Sequence, residues 1–321
     1  MEITRETLIS EIIDNCPQAF PVFQEIGMHC MGCALASGET LEQACAAHGV
    51  DPDEFLTYLK AYLEVSNPRG KLTVNLQTLP SAASFHIRGG NMDRRLSTIA
   101  SQIENGIGLA DVGTDHGFLP VHLARHGYTG NLYASDINEG PLRTAVDNAK
   151  HAGVSGRIKF LLCDGLRLCP PDDVDTIVIA GMGGDMICRI LDEAEWCMSG
   201  KYKLILQPMT KQDILRYWLV NNGFEICREL IAEDAGVLYQ VITARFGGET
   251  RLTDGELFTG KYELAEDNTL YVRLLREQHR RFDKAVHEMS SGDKCPKYKL
   301  RLFEELLGQL TEMRDRYDAD K

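Results

Sequence analysis

Short apolar segments alternate with longer amphipathic segments along residues 92–246 of this 321-residue chain. The short segments are rich in Val, Ile and Leu, as buried strands are, and the longer ones repeat apolar residues at helical spacing. Parallel strands must be joined by a crossover, which is usually a helix packed on the sheet. The alternation therefore predicts a mainly parallel α/β sheet with helices on both faces.

The last two predicted strands, at residues 224–234 and 236–246, follow one another with no helix between them. They should form an antiparallel hairpin at one edge of the sheet. Five βα units followed by such a hairpin are the order of class I methyltransferases, whereas a dinucleotide dehydrogenase more often continues with a sixth parallel strand. We therefore expect the Rossmann-like sheet of the class I S-adenosylmethionine-dependent methyltransferases, with a terminal antiparallel hairpin.

The flanking regions are predicted to be helical and to form further domains. Residues 1–64 contain short helical segments, one of which opens with a capping-box pattern at Thr40. Residues 65–91 lose all periodicity and should form a linker. The sheet domain would then span residues 92–247, and residues 248–321 would form a coiled-coil-like helical domain.

The net charge of −13 argues at first against a nucleic-acid partner, but the charge is distributed unevenly. Residues 1–64 carry 11 acidic and 2 basic side chains, whereas residues 273–301 carry nine basic and four acidic ones. Binding to phosphates needs local rather than global positive charge. The basic stretch is thus a candidate for contact with a nucleic acid, and a solvated helix face is an equally good interpretation.

Targeting signals and cysteine usage indicate the compartment. No apolar run approaches the roughly 20 residues of a membrane-spanning helix, and the first ten residues do not resemble a signal peptide. We therefore expect a cytoplasmic protein with no membrane partner. Ten cysteines in an intracellular chain are more often reduced thiols, with one functional pair among them, than a disulfide framework.

The stretch LADVGTDHGFLP, at residues 109–120, is typical of a strand, a glycine turn and the start of a helix. Ligands of doubly wound sheets bind beyond the carboxyl ends of the strands, so this turn is expected to hold a cofactor. Gly113 would let the backbone turn tightly, and Gly117 would allow the helix to pack closely on the strand.

An acidic residue within this turn discriminates between cofactors. A pyrophosphate at the helix N-terminus would be repelled by Asp115. S-adenosylmethionine carries no phosphate but has an ammonium and a sulfonium group. Asp111 and Asp115 could hold that ammonium, and His116 could donate to the methionyl carboxylate. The alternative is that Asp115 only caps the following helix.

Three further candidate sites follow later strands. Asp136 ends the second strand, 23 residues after the first glycine of the turn, where an acidic side chain can accept both hydroxyls of a ribose. Asp164 and Gly165 end the third strand, where a carboxylate commonly meets the adenine amino group. Glycines around Met182, at residues 180–185, would let a substrate approach the backbone closely. Each of these could also be an ordinary turn.

Six separated segments resemble, in order and spacing, the TrmK family across about residues 92–246. The segments are RRLSTIASQI, LADVGTDHGFLP, ASDINEGPLRTA, AGMGG, LILQPM and LRYWLVNNGFEI. TrmK enzymes are bacterial S-adenosylmethionine-dependent tRNA methyltransferases that act on N1 of adenine 22. They have a Rossmann-like domain and a C-terminal helical domain that helps to engage tRNA. The resemblance implies the same cofactor, reaction and partner for this chain.

The turn chemistry and the resemblance together nominate the residues of the site. The candidates for cofactor binding are Asp111, Gly113, Asp115, His116, Asp136, Ile137, Asn138, Asp164, Gly165, Gly181 and Met182. Adenine N1 has its own lone pair, so catalysis would be mostly alignment of N1 with the methyl carbon and sulfur. Asp115 is the candidate for stabilising the positive charge of the methylated base or acting as a base. His116 is the second candidate, and both could equally be cofactor ligands only.

A structured tRNA must expose its adenine, so extrusion of the base is expected. Six arginines are candidates for tRNA contacts: Arg94, Arg95, Arg273, Arg276, Arg280 and Arg281. A solvated helix face is an equal alternative for each of them.

Residues 2–62 resemble the small domain associated with hybrid cluster proteins, which is proposed to hold a redox disulfide. Cys30 and Cys33 form a C-x-x-C pair at an expected helix start, which lowers a thiol pKa and favours redox exchange with a partner. Zinc binding with Cys16, Cys45 and nearby histidines, or inert buried thiols, are the alternatives. The spacing matches no zinc pattern, so we expect no metal.

The sequence therefore predicts a tRNA adenine-N1 methyltransferase fused to a small helical C-x-x-C domain. Three other classes stay open: a class I methyltransferase acting on another RNA or a small molecule, a nicotinamide-dependent oxidoreductase, and a non-catalytic, redox-responsive RNA-binding protein. Asp115 and the terminal hairpin argue against the oxidoreductase.

Overall fold

The computed structural model describes residues 3–16, 19, 22–23, 39–47, 50–65, 92–234, 236–265, 268–291 and 296–318. The N-terminal unit contains the helices α1 (Ile9–Asn15), α2 (Leu41–Ala47) and α3 (Pro52–Val65). The predicted capping box of α2 is confirmed, because Gln43 N donates to Thr40 Oγ1 (3.3 Å) and Thr40 N donates to Gln43 Oε1 (3.0 Å). The predicted linker lies outside the described residues, apart from Val65.

The N-terminal unit has its own hydrophobic core. Ile12, Phe23, Leu41, Phe55 and Leu59 are almost completely buried, and every other member of this core also lies between residues 3 and 63. The unit therefore does not depend on the sheet for its packing.

A seven-stranded sheet forms the centre of the molecule. Its strands are β1 (Gly108–Val112), β2 (Asn131–Asp136), β3 (Ile158–Leu162), β4 (Thr176–Gly183), β5 (Lys203–Thr210), β6 (Phe224–Asp234) and β7 (Val237–Phe246). The spatial order is β3-β2-β1-β4-β5-β7-β6. Neighbours among the first five strands pair in parallel, whereas β7 is antiparallel to both β5 and β6. The predicted class I methyltransferase sheet with a terminal antiparallel hairpin is confirmed.

Helices cover both faces of the sheet. They are α4 (Arg94–Ser101), α5 (Phe118–Arg125), α6 (Glu139–His151), α7 (Gly184–Asp192) and α8 (Gln212–Asn221). Successive strand residues point to opposite faces, so Leu109 and Val178 enter a core with α4, α5 and α6. Their neighbours Ala110 and Ile177 enter a second core with α7 and α8. All five residues of β1 are buried, including the charged Asp111, as expected for a central strand covered on both faces.

Gly117 precedes α5 with a φ of 71°. A Cβ atom at this position would lie 2.8 Å from the Cβ of Ala145, which belongs to α6. The glycine therefore allows close packing, but its neighbour is a second helix rather than the strand that the sequence suggested.

The C-terminal region contains α9 (Asp254–Thr259) and two long helices, α10 (Asn268–Ser291) and α11 (Lys297–Asp318). The two long helices share a core built on Tyr271, Leu275, Phe282 and Leu310. Leu252 and Leu264 of this region pack against the core of the sheet, and Ile231 of β6 packs against the core of the long helices. The division into domains at residues 1–64, 92–247 and 248–321 stays a prediction. Among the described residues, none of the helices is long and apolar enough to cross a membrane.

Candidate active site

A cavity of about 970 Å³ lies at the carboxyl ends of β1, β2, β3 and β4. Its walls are formed by the turns that follow these strands, by parts of α4, α7 and β7, and by the N-terminal unit. All eleven residues predicted to bind a cofactor line this cavity. The structure thus brings them together, and their individual roles stay predictions.

The turn between β1 and α5 has an unusual backbone. Gly113 and Asp115 both adopt left-handed conformations, with φ of 70° and 52°. Aspartate is one of the few residues other than glycine that visits this region routinely. The N–H groups of Gly113 and Thr114 both donate to the carbonyl of Ser135 at 2.8 Å, which fixes the turn against β2. A Cβ on Gly113 would lie 2.1 Å from Cε of Met182, so a side chain there would displace Met182.

Asp115 and His116 stand side by side on this turn. Helix α5 begins after Gly117, which occupies its N-cap position, so Asp115 is not the N-cap residue of this helix. His116 Nε2 lies 3.5 Å from Asp115 Oδ1, and the His116 carbonyl accepts from Asn148 Nδ2 at 2.9 Å. The His116 ring is buried, and its Nδ1 has no hydrogen-bond partner among the described residues. That nitrogen is available to a ligand in the cavity.

Asp111 is the most deeply buried carboxylate of the site. The pKa of Asp111 is raised to about 6, chiefly by burial, and the neighbouring carboxylates of Asp136 and Asp115 act in the same direction. A hydrogen bond from Thr114 Oγ1 to Asp111 Oδ2 (2.6 Å) and the nearby Arg95 oppose this shift. A buried carboxylate with this environment is a suitable partner for a cation.

Asp136 joins the first two turns. Its Oδ2 accepts from Asp115 N (3.3 Å) and its Oδ1 accepts from Asn138 N (2.8 Å). The next residue, Ile137, is 60% exposed although it is large and apolar. A carboxylate beside an uncovered apolar side chain fits a ribose with its attached base.

Asp164 is held by a residue that the sequence did not nominate. Arg189 of α7 donates to both carboxylate oxygens of Asp164, at 2.9 and 3.2 Å, and this ion pair lowers the pKa of Asp164. Arg189 also donates to Glu193 (2.9 Å) and lines the cavity together with Met186. The only signal in the sequence is the i, i+4 spacing of Arg189 and Glu193, which gives no hint of the pairing across to β3.

The glycine turn at the end of β4 is supported by a buried amide. Gly181 has a φ of 80°, and its N–H donates to Oε1 of the fully buried Gln207 (3.2 Å). Arg95 Nη1 donates to the same oxygen (3.0 Å), while Arg95 Nη2 lies 3.3 Å from Asp93. The Arg95 guanidinium also lies 5.9 Å from the centre of the Tyr239 ring. Gln207 and Tyr239 are therefore site residues that the sequence analysis missed.

The arginines predicted to contact tRNA lie in three different environments. Arg95 lies in the wall of the cavity, with a side chain that is 19% exposed, so it would meet tRNA only inside the site. Arg94, Arg276, Arg280 and Arg281 are exposed on the outer surface. The sixth arginine, at position 273, is occupied by ion pairs to two glutamates, at 2.5 and 3.1 Å.

The cysteines of the N-terminal unit can be described only in part. Cys30 and Cys33 lie outside the described residues. Cys45 is buried, and burial raises its pKa to about 12, which favours the protonated thiol over the reactive thiolate. Within the described parts of the chain, no group of three or more His, Cys, Asp or Glu side chains could hold a metal ion.

Comparison with known proteins gives two family matches. Residues 92–242 match the family described as "Methyltransferase domain", and residues 3–56 match a domain of unknown function, DUF1858. The tRNA (adenine(22)-N(1))-methyltransferase of Bacillus subtilis is 28% identical over 218 residues, which cover 66% of this chain and 92% of that enzyme.

Solved structures agree with these matches. Sp1610 of Streptococcus pneumoniae, in complex with S-adenosyl-L-methionine, is 30% identical with a TM-score of 0.60, and the match covers 70% of this chain and 100% of that one. TrmK of M. capricolum, in complex with S-adenosyl-homocysteine, is 25% identical with a TM-score of 0.61, and the match covers 70% and 98% of the two chains. The predicted resemblance and the predicted cofactor are confirmed. The chain therefore belongs to the TrmK family of class I, S-adenosylmethionine-dependent methyltransferases.

Proposed function

We propose that the chain transfers the methyl group of S-adenosylmethionine to N1 of adenine 22 in tRNA. The observation that carries this proposal is the group of three carboxylates, Asp111, Asp115 and Asp136, around a left-handed glycine turn. The relative from Bacillus subtilis is named for the same reaction.

The residues of the cavity fit the cofactor. Carboxylates around the turn would repel a pyrophosphate but attract an ammonium and a sulfonium group. In this proposal Asp111 holds the ammonium, His116 Nδ1 donates to the methionyl carboxylate, and Asp136 accepts the ribose hydroxyls. Ile137 packs on one face of the adenine, and Arg189 holds Asp164 in place beside it.

The chain's own part in the reaction is alignment and charge stabilisation. The bound cofactor supplies an electrophilic methyl group on a sulfonium. Gly181 has no side chain, so the target adenine can approach the backbone at the end of β4, and Gln207 keeps that turn fixed. Asp115, which is partly exposed at the edge of the cavity, stabilises the positive charge that develops on the methylated base. We propose that the exposed arginines of α4 and α10 contact tRNA phosphates.

The direct test is methyl transfer from labelled S-adenosylmethionine to unmodified tRNA, followed by nuclease digestion and mass spectrometry of the nucleosides. The proposal requires 1-methyladenosine as the product. Label in another nucleoside would indicate a methyltransferase with a different target. Binding of tRNA without any transfer would favour the non-catalytic alternative.

The buried Asp111 predicts a pH dependence of cofactor binding. Its pKa is raised to about 6, so it is ionised at pH 7.5 and mostly protonated at pH 5. If only the ionised form binds the ammonium, affinity should fall about tenfold between these pH values, because only about a tenth of the protein is then competent. Isothermal titration calorimetry measures this directly. Asp111→Asn should bind the cofactor weakly at both pH values. If the affinity of this variant still falls between pH 7.5 and pH 5 as it does in the wild type, Asp111 is not the group that titrates.

We propose in addition that Cys30 and Cys33 form a reversible disulfide, on the strength of their C-x-x-C spacing. Methyl transfer should then differ between protein equilibrated with reduced and with oxidised glutathione, and Cys30→Ser with Cys33→Ser should abolish the difference. Cys227→Ser is the matched control, because Cys227 is an exposed thiol of β6 outside the cavity. A response that persists in a chain lacking residues 1–64 would exclude these two cysteines as the switch.

A further inference from the structure

The N-terminal unit forms one wall of the cavity that holds the candidate active site. Arg5, Glu42, Val50, Pro52 and Asp53 line the cavity together with the turns after β1, β2 and β4. Asp51 lines it as well, and we call these six residues the N-terminal wall. The cavity is therefore bounded on one side by a part of the chain that the methyltransferase family match at residues 92–242 does not include.

A second observation places the same unit near the target side of the site. Burial raises the pKa of Tyr239 in β7 and the Arg95 guanidinium lowers it, while the carboxylates of Asp234, Asp93 and Glu39 raise it. Glu39 belongs to the N-terminal unit and is itself half-buried, which raises its pKa. The unit thus lies close to the end of the cavity where β7 and the Gly181 turn meet, which is the proposed target side.

The N-terminal wall is held together internally. Arg5 Nε donates to Asp53 Oδ1 (2.7 Å), and Arg5 Nη1 lies 3.7 Å from Glu42 Oε1. The hydrophobic core beneath it contains residues of the N-terminal unit alone. If the unit moved away from the cavity, it would keep these ion pairs and its core. The movement would therefore leave none of these charges unpaired and would expose none of this core to water.

The match to solved relatives indicates that the rest of the chain can fold without the unit. Two solved relatives are covered over 98–100% of their length by 70% of this chain, a share that residues 92–321 can supply alone. The sheet and the C-terminal helices also have cores of their own. The unit is an addition to a complete fold.

The size of the cavity affects tRNA and S-adenosylmethionine differently. Pockets for small molecules have volumes of about 300–1,000 Å³. A cavity of about 970 Å³ can hold a cofactor and one extruded base, but the base of a tRNA remains attached to its backbone. A wall beside the mouth of the cavity therefore hinders the bulky polynucleotide much more than the small cofactor.

The negative charge of the N-terminal unit disfavours the binding of tRNA beside it. The first 64 residues carry 11 acidic and only 2 basic side chains, and phosphates are repelled by such a surface. An acidic unit placed over the target side of the site therefore competes with tRNA instead of adding to the surface that binds it.

We infer that the N-terminal unit is a gate that covers the target-base side of the cavity and has to move away before tRNA binds. This inference rests on the proposed tRNA substrate. The apparent Kd for tRNA equals the Kd of the open form divided by the fraction of molecules that are open. The Kd for S-adenosylmethionine is unchanged by the gate.

The test compares the full chain with a chain of residues 92–321. For a gate that is open in about one molecule in ten, removal should raise kcat/KM for tRNA about tenfold. The Kd for S-adenosylmethionine, measured by calorimetry, should agree between the two forms to within about twofold, since the gate acts on tRNA alone.

In the full chain, Glu39→Gln with Glu42→Gln should lower the KM for tRNA. Glu11→Gln with Asp14→Asn removes the same charge from exposed positions of α1 that do not line the cavity, and it should change nothing.

The outcomes separate the gate from the proposed function. Equal kcat/KM for tRNA in two active forms would overturn the gate and leave the function standing. Weaker tRNA binding by residues 92–321 would show that the unit belongs to the tRNA surface, and weaker cofactor binding would show that it belongs to the cofactor site. Either result overturns the gate. If neither form methylates tRNA, the proposed function fails, and the gate fails with it.

Discussion

Replacing Asp136 with alanine is expected to raise the Kd for S-adenosylmethionine about 100-fold. The Asp136 carboxylate is buried at the end of β2 and is the proposed acceptor for two ribose hydroxyls. Hydrogen bonds to charged groups contribute about 1.5–3 kcal/mol each, so the loss of two bonds at the lower end of this range, about 3 kcal/mol, raises Kd by about 100-fold. Calorimetry on the purified variant, with its fold checked by circular dichroism, gives the number.

Two matched variants separate ribose binding from support of the turn. Asp136 also accepts from the backbone N–H groups of Asp115 and Asn138, so its loss could loosen the turn. Asp136→Asn keeps one acceptor oxygen of the same shape and should bind the cofactor more tightly than the alanine variant. Asp115→Asn should weaken cofactor binding much less than Asp136→Ala. Equal losses at the two positions would mean that the roles have been assigned wrongly.

Replacing Arg216 with methionine is expected to cost about 3–5 kcal/mol of the free energy of unfolding. Arg216 is completely buried and donates to both carboxylate oxygens of Glu229, at 3.0 and 2.8 Å. It also donates to Gln240 Oε1 (2.6 Å) and to the carbonyl of Leu257 (2.9 Å). The substitution leaves a buried carboxylate without its cation. Urea denaturation measures the loss.

The contrast with an exposed pair tests this explanation. Arg301 pairs with Glu305 on α11 at 3.1 Å, but both side chains are more than half exposed. Arg301→Met should therefore change stability by less than about 1 kcal/mol. Adding Glu229→Gln to the Arg216 variant should recover part of the loss, since the buried charge is then removed. A loss below 1 kcal/mol for Arg216→Met alone would contradict a structural role for the buried pair.

The buried pair of Arg216 and Glu229 also supports the candidate active site. Glu229 and Gln240 lie on β6 and β7, the hairpin that carries Asp234 and Tyr239 into the wall of the cavity. Arg216 anchors that hairpin to α8. The antiparallel hairpin, which identifies the fold, is thus held by a buried ionic network and at the same time completes the target side of the site.

Much of the sheet could be predicted because its signals are local. Buried parallel strands are continuous apolar runs, and the absence of a helix after residue 234 is visible in the sequence itself. The glycine turn could be placed for the same reason, since Gly113 and Gly117 mark its two ends within five residues. Asp111, Asp115 and Asp136 each follow or end a predicted strand, so topology alone brings them to one edge.

Other contacts of the site could not be predicted, because they depend on residues that are distant in the sequence. Arg95 and Gln207 are 112 positions apart, and they meet at the N–H of Gly181 only after the sheet has formed. The pairing of Arg189 with Asp164 likewise needs α7 to pack beside the end of β3. In the sequence Arg95 therefore resembled a phosphate-binding residue. In the structure its partners Gln207 and Tyr239 lie at the cavity.

The position of the N-terminal unit had no signal in the sequence at all. Its helices and its capping box could be predicted, but no pattern in residues 1–64 points toward the cavity. Only the folded chain places Glu42 and Asp53 on the same wall as the cofactor turns.

The most direct test of the central claim uses two tRNA transcripts that differ only at position 22. One carries adenine there and the other carries guanine, and both are incubated with the full chain and labelled S-adenosylmethionine. We predict one 1-methyladenosine per molecule at position 22 of the first transcript and no label in the second. Equal labelling of both transcripts, or no labelling of either by protein that binds the cofactor, would contradict the claim.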